Sequence, residues 1–451
     1  MAGYSNPISI GTALIALAIM IAIGLRGSRK FTEEEYLIGG RKIGAWLLAG
    51  TMAAGVIGGG VLLVFFEYVF RYGLSAFWII GGLVVGLVCL NWIAVRYKPL
   101  ADKQGFYTLP DLYRFFWGPT SGVLATAIIF AWTCGFIIMQ LISAGTVLHA
   151  MTGWNYNWGV VIAAATVGSY LLASGYKAVV ATDVAQYCAL LVVLVLFAFF
   201  ALPAVGVSGL HSAVSGASLN IGDAIGFFLL GALNIIVSAD LWQRVYSAKS
   251  ASTARWSMYL AALLVLLAGL LLFVPGFYAR IHLATAVPNE AAIDSMNLLF
   301  PAPLLGLGLV GVLSTIISAL DTMVFVLSIS VAHDIGVRQL GAAPSGRRRN
   351  MRVIMFCTLA GGAVLAILDD QLLTTGLALS SLGLILAPSI LMQLTKWKPP
   401  ARAVVFGMLL GIVCTVALIV TGNLTPEYAV GTLVAAMAGT ALGYVGKRNA
   451  A

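Results

Sequence analysis

Charge is what this sequence lacks most. Only 9% of its 451 residues are Asp, Glu, Lys or Arg and 61% are hydrophobic, whereas a soluble domain carries about 25% charged residues. A water-soluble fold of this composition has too few charges to cover itself, which excludes that class. Cysteine is scarce as well. Cys89, Cys134, Cys188, Cys357 and Cys414 each fall in or at the edge of an apolar run. They show no paired spacing, which excludes a disulfide framework or a zinc site. The four histidines, His149, His211, His282 and His333, match no metal-ligand spacing. Polar stretches are short, the longest being about 26–43, 97–119, 276–300 and 334–350, and none of them is long enough for a soluble enzyme or sensor module. The apolar runs hold no His-Glu-x-x-His or Gly-x-Ser-x-Gly set, and no enzymatic activity is expected. No Lys or Arg precedes Ile8, so the first run lacks the positive leader of a cleaved signal and is expected to persist as a helix.

What is present is apolar sequence in spans. They lie at about 8–25, 44–68, 74–96, 120–148, 158–175, 181–202, 221–239, 255–275, 302–332, 351–368, 371–394, 402–421 and 427–445, thirteen in all. None alternates with period two, so they predict helices and not barrel strands: an all-α polytopic membrane protein. With the N-terminus outside, twenty-three Lys and Arg residues fall in inside loops and only Arg71 and Arg280 in outside loops. That bias is the positive-inside pattern of a cell-membrane protein with a cytoplasmic C-terminus. It also explains the net charge of +9, which meets anionic membrane lipid. The basic run Gly346 to Asn350 (GRRRN) lies between two spans and predicts no nucleic-acid partner. A monomer is the expected state.

Spans two to six and seven to eleven form two sets of five. An odd count inverts the second set relative to the first, as in inverted-repeat transporters. The expected organisation is an N-terminal extra helix and inside loop over 1–43, repeats over 44–203 and 204–394, and two C-terminal helices over 395–451. The first helix of each repeat is then the one that breaks near mid-membrane. The stretch Ala53 to Gly60 (AAGVIGGG) lies at that place in the first repeat. Its four glycines lower the cost of unwinding. The same glycines also offer Gly55 and Gly59 as a close helix-packing pair.

Polar residues inside spans are costly and mark candidate sites. Ser314, Ser318, Asp321 and Thr322 recur at helical spacing along one face, and oxygen ligands with a carboxylate suit a hard cation such as Na+. Asp183 and Gln186 enter the sixth span one turn apart, and Asp183 is placed to share a cation with the Asp321 helix or to relay protons. In the segment Ser238 to Ser250, Arg244 and Lys249 read as charges that orient the helix, with Asp240 pairing Arg244 at i,i+4. Deeper candidates for substrate contact are Asn234, Gln140, Ser380 and Ser381. Glu67 and Arg71 read as a salt bridge at the outer rim.

Four stretches carry a resemblance to a known family: EEYLIGGRKIGAWLLAGTMAAGVIGGG, GYKAVVATDVAQ, DLWQRVYSAKS and SALDTMVFVLSISVAHDI. In this order, over about residues 33 to 394, they resemble the sodium:solute symporter family. The resemblance implies a leucine-transporter-like inverted-repeat core and Na+-driven symport by alternating access. It implies a sodium site built from the carbonyls of Ala54 and Ile57 and the hydroxyl of Ser318. A second hydroxyl expected at position 319 is replaced by Ala319. A second sodium site in some members maps onto Asp183, Asp321 and Thr322. The family's broken helix carries two serines where this chain has Gly55 and Gly58, so the family's substrates do not carry over. Gly58, Gly59 and Gly60 are expected to face the solute. The function expected is Na+-coupled symport of a small polar or anionic organic solute. A proton-coupled or ion-independent transporter of the same fold is the alternative, and a membrane solute sensor is the alternative of another class.

Overall fold

A computed structural model of the chain describes residues 7–26, 32–215, 219–283, 291–368, 381–395, 398–423 and 426–445. Among them the backbone is helical, and the only strand-like pairing is a bridge between Ile43 and Ala248. In hydrocarbon every backbone polar group must be paired within the chain, and the helix does this locally. The elements are α1 (Pro7–Arg26), α2 (Glu33–Ile38), α3 (Ala45–Val56), α4 (Gly59–Tyr72), α5 (Phe77–Gln104) and α6 (Leu109–Thr152). There follow α7 (Tyr156–Ser174), α8 (Tyr176–Ser215), α9 (Ile221–Val237), α10 (Ala239–Ser247), α11 (Ala251–His282) and α12 (Ala291–Leu299). The chain continues with α13 (Ala302–Ile329), which runs on as a π-helical segment over Ser330–Val337, then α14 (Arg347–Leu368) and α15 (Ala387–Met392). It ends with α16 (Ala401–Val420) and α17 (Pro426–Val445).

Among the described residues eight helices are long and apolar enough to cross a membrane, or nine if α9 and α10 count as one bent span. That count does not reach thirteen, and part of the expected span 371–394 lies outside the described residues. Two polar stretches are more helical than expected. Thr108 and Asp111 form a reciprocal capping box that starts α6 well before residue 120, and Gly118 (φ +82°) with Pro119 bends it on entry. Thr32 and Glu35 form the same device at the start of α2.

Two helices break. After Val56 the backbone leaves helical geometry at Ile57 (φ −91°, ψ 53°) and Gly58 (ψ 168°), and α4 restarts at Gly59. Between α9 and α10 the break is at Ser238 (φ −62°, ψ 108°), with a 44° bend. The ends of α3 and α10 remote from the breaks are tied together. Ile43 N–H donates to the Ser247 carbonyl at 3.2 Å and Lys249 N–H to the Ile43 carbonyl at 3.1 Å. α3 packs on α8 and α11, and α13 packs on α6 and α8. The first break therefore lies against the helices that carry Asp183 and Ser318.

Candidate cation site

Four elements bring one buried polar cluster together. α8 supplies Asp183, which has no solvent exposure. Its Oδ1 accepts from Ser318 Oγ of α13 at 2.6 Å. Its Oδ2 accepts from the Thr51 hydroxyl of α3 and, at 3.0 Å, from Arg244 Nη2 of α10. Arg244 uses its whole fork: Nε donates to Thr51 Oγ1 at 2.9 Å, Nη1 to Asp240 Oδ2 at 2.6 Å and Nη2 also to Thr322 Oγ1 at 3.0 Å. Ser238, at the second break, donates to Asp240 Oδ1. Asp240 sits in the first turn of α10, where the helix dipole favours a carboxylate.

Asp321 belongs to the same helix as Ser318 and makes a different set of contacts. Its Oδ2 accepts from the Tyr170 hydroxyl of α7 and, at 3.5 Å, from Thr182 Oγ1. Its Oδ1 is buried and has no hydrogen-bond partner. A buried polar atom without a partner costs about 1–3 kcal/mol, more when charged. The arrangement thus holds three buried carboxylates against one guanidinium, with hydroxyls as the remaining donors. Such a set can hold a small cation through oxygen ligands.

The first break meets this cluster through glycine. A Cβ on Gly55 would lie 3.3 Å from Asp240 Oδ2 and 3.4 Å from Arg244 Nη2, so the bare backbone lets that ion pair approach α3. A Cβ on Gly58 would lie 3.0 Å from the Ala319 methyl, with Gln140 Nε2 at 3.7 Å. Ala54 and Ile57 are buried at the end of α3, and residue 319 presents a methyl to the break.

Of the residues expected from sequence, the structure joins Asp183, Ser318 and Thr322 directly and places Asp321 one residue from Thr322. Gly59 and Gly60 open α4, and Gln140 is buried beside the break with Oε1 unpaired. Asn234 is not brought to the cluster: its Nδ2 donates to the Leu230 carbonyl of its own helix at 3.0 Å. Ser314 also departs from the expected face, lying against Met20 Sδ of α1 at 3.6 Å, as does Gln186 at 3.9 Å. Ser380 lies outside the described residues, and Ser381 opens a short 3-10 turn. Arg244 corrects the sequence reading most. It is 2% exposed and forms the hub of the cluster, not a surface charge. Thr51, Tyr170 and Thr182 were not singled out, since a lone hydroxyl in an apolar helix carries no spacing signal. The i,i+4 pairing of Asp240 with Arg244 is present at 2.6 Å, and Glu67 pairs with Arg71 at 2.8 Å on a partly exposed face.

A second polar network binds the charged end of the bundle. Arg41 pairs with Glu34 at 2.8 Å and Asp102 at 3.0 Å, and donates to the Phe106 carbonyl at 2.9 Å. Nearby, Asp111 accepts from His333 Nε2 at 3.1 Å while Arg347 Nη1 approaches His333 Nδ1 at 3.1 Å. Arg has only donors, so Nδ1 accepts and the imidazole is the Nε2–H tautomer. Asp334 accepts from Thr108 and Ser330, both at 2.8 Å. Outside the spans, Glu35 is held down at a pKa of about 2 by the Thr32 backbone N–H first and then by Lys177 and the Thr32 hydroxyl.

The fold and site define an all-α polytopic membrane protein with a leucine-transporter-like core of broken helices. The sodium:solute symporter family profile matches residues 36–224, less than half of the chain. It is 27% identical to the sodium/proline symporter of Staphylococcus aureus (strain Newman) over 345 residues. The match covers 70% of this chain and 66%, just under two thirds, of that relative. Among solved structures the chain is similar to a Na+-coupled sialic acid symporter in a substrate-bound outward-open state, with a TM-score of 0.83 at 14% identity, covering 97% of this chain and 96% of that one. It is also similar to a nucleobase-cation-symport-1 family transporter in a closed conformation, with a TM-score of 0.62 at 15% identity, covering 92% and 94%. At these identities the two structures establish the fold.

Proposed function

We propose that this protein is a secondary active transporter that couples entry of a small polar or anionic organic solute to Na+ by alternating access. One observation carries the proposal: three buried carboxylates, Asp183, Asp240 and Asp321, stand against one guanidinium beside a helix break. The uncompensated negative charge is best met by a mobile cation, since an unpaired buried charge is strongly disfavoured. The relative named as a sodium/proline symporter and the similar structure named as a Na+-coupled sialic acid symporter support Na+ as that cation.

The cation ligands in this reading are the carboxylates of Asp183 and Asp321, the hydroxyls of Ser318 and Thr322, and the carbonyls of Ala54 and Ile57. The solute binds beside the first break, facing Gly58, Gly59, Gly60 and Gln140. Asn234 of α9 is a further contact. Residues 44–203 and 204–394 act as the two inverted repeats, preceded by 1–43 and followed by 395–451. The N-terminus is outside and the C-terminus cytoplasmic, so the Arg41, Asp111 and His333 network closes the inner face. Cation binding stabilises the state that accepts solute, and by linkage solute raises cation affinity equally. One Na+ moving inward down ~100 mV supplies roughly 2.3 kcal/mol before its concentration gradient.

A proton-coupled reading is favoured by two features: the methyl of Ala319 at the break and the unpaired Oδ1 of Asp321. Proteoliposomes separate the readings. A solute panel is first screened by thermal shift with and without Na+, and a stabilising solute is then offered under an inward Na+ gradient or an inward proton gradient. Accumulation driven by Na+ alone supports the proposal. Accumulation that ignores Na+ and collapses with the pH gradient replaces it with the proton reading.

A further inference from the structure

We infer that Arg244 is a tethered counter-ion that competes with the transported cation for Asp183, and that Asp240 is the seat to which it withdraws. This rests on the cation-coupled reading above and adds to it a residue that sets cation affinity. The lone pairs a metal ion needs are already engaged by guanidinium N–H groups. Thr51 Oγ1 accepts from Nε at 2.9 Å, and Asp183 Oδ2 and Thr322 Oγ1 both accept from Nη2 at 3.0 Å. Each of these N–H groups occupies a lone pair that a cation would otherwise use, and two positive charges at one carboxylate oxygen repel. Ser318 binds the other oxygen, Oδ1, and leaves Oδ2 as the contested position.

The geometry also supplies a place for the displaced charge. Asp240 lies one turn before Arg244 on the same short helix and already holds Nη1 at 2.6 Å. It is itself fixed by Ser238 at the helix break. Gly55 faces both partners, with space for a Cβ only at 3.3–3.4 Å from Asp240 Oδ2 and Nη2. Arg244 therefore shifts from a fork spanning two carboxylates to one resting on Asp240, and Asp183 Oδ2 passes to the cation. Because Arg244 and Ser238 sit on the second broken helix and Thr51 on the first, the exchange links cation arrival to both breaks.

The test is a Na+ titration of thermal stability in purified full-length protein, with choline replacing Na+ at constant ionic strength. Arg244→Gln removes the competitor, and its half-maximal Na+ concentration is expected to fall at least tenfold. Asp240→Asn removes the seat and leaves Arg244 on Asp183, so its midpoint is expected to rise at least tenfold. Structural damage would weaken Na+ binding in both variants. Competition is separated from a general field effect in Arg244→Ala: guanidinium chloride at low millimolar concentration should raise the Na+ midpoint in proportion to its own concentration. If Arg244→Gln fails to fold, Arg244→Ala with Asp240→Asn, which removes one charge of each sign, carries the guanidinium comparison. Unchanged or weakened Na+ binding in Arg244→Gln, or a midpoint indifferent to guanidinium, overturns the inference while a Na+ response in the unmutated protein keeps the symport reading. No Na+ response in the unmutated protein but a gain in Arg244→Gln overturns Na+ coupling and keeps the counter-ion.

Discussion

Replacing Asp321 by Asn exchanges a carboxyl oxygen for an amide NH2 and removes the capacity for negative charge with little change of shape, and two opposite consequences follow. The side chain is fully buried and one of its oxygens, Oδ1, has no partner. Without a cation, any negative charge on this carboxyl is held out of water with the Tyr170 hydroxyl as its main compensation. Leaving a buried polar group unmatched costs about 1–3 kcal/mol, and more for a charge, and exchanging a poorly paired buried charge for a neutral group is often neutral or stabilising. The cation-free variant is therefore expected to unfold at the same temperature as the unmutated protein or higher. With Na+ the order reverses. A ligand at about a hundred times its Kd stabilises the state it binds by about 2.7 kcal/mol. Asp321→Asn should lose most of that gain, because the carboxylate that attracts the ion is gone. The assay is thermal unfolding in detergent, with NaCl against choline chloride. A variant that keeps the full Na+ increment removes Asp321 from the cation site, and one that is destabilised in choline shows that the carboxylate is already well paired.

Other expectations follow from single contacts. Ala319→Ser puts a hydroxyl at the first break, where a methyl now faces Gly58, and should tighten half-maximal Na+ severalfold in the same titration; no change would mean that the carbonyls of Ala54 and Ile57 take no part. Gly55→Val pushes a branched side chain at the Arg244–Asp240 pair, whose atoms lie 3.3–3.4 Å from even a Cβ, and should lower stability by about 1–3 kcal/mol as overpacking does, read as a fall in melting temperature. Glu35 is held ionised to a pKa of about 2 by Thr32 and Lys177, against 4.5 for a free glutamate. A depressed carboxylate stabilises the fold fully above its unfolded pKa and loses that contribution as pH falls through the folded value. Glu35→Gln should flatten the stability profile in that acid window, and identical profiles would remove the assignment.

Much of this architecture is legible in the sequence, because lipid leaves the backbone few options. Apolar length marks helices, and clustered glycines mark the break at Ile57 and Gly58. The second break is different. The run IIVSADLW around Ser238 has no glycine, and only the five-plus-five count points there. Helix starts within polar stretches were harder, since the caps at Thr32 and Thr108 depend on one side chain each. The site was legible where spacing on one helix groups its members, as for Ser318, Asp321 and Thr322. It was not legible where members come from distant helices. Thr51 and Arg244 are 193 residues apart, and an Arg near a span end looks like an orienting charge until α3 is seen to cross it. Gly55 illustrates the same limit: its spacing to Gly59 suggests helix packing, whereas the structure uses its bare backbone to admit an ion pair.

Equilibrium binding of radioactive sodium to the purified protein addresses the central claim without knowledge of the solute. The account predicts saturable binding of at most two ions per chain, two being the excess of the three buried carboxylates over Arg244, resistant to choline and abolished in Asp183→Asn. Binding that never saturates above background, or that persists unchanged in a folded Asp183→Asn variant, would contradict it.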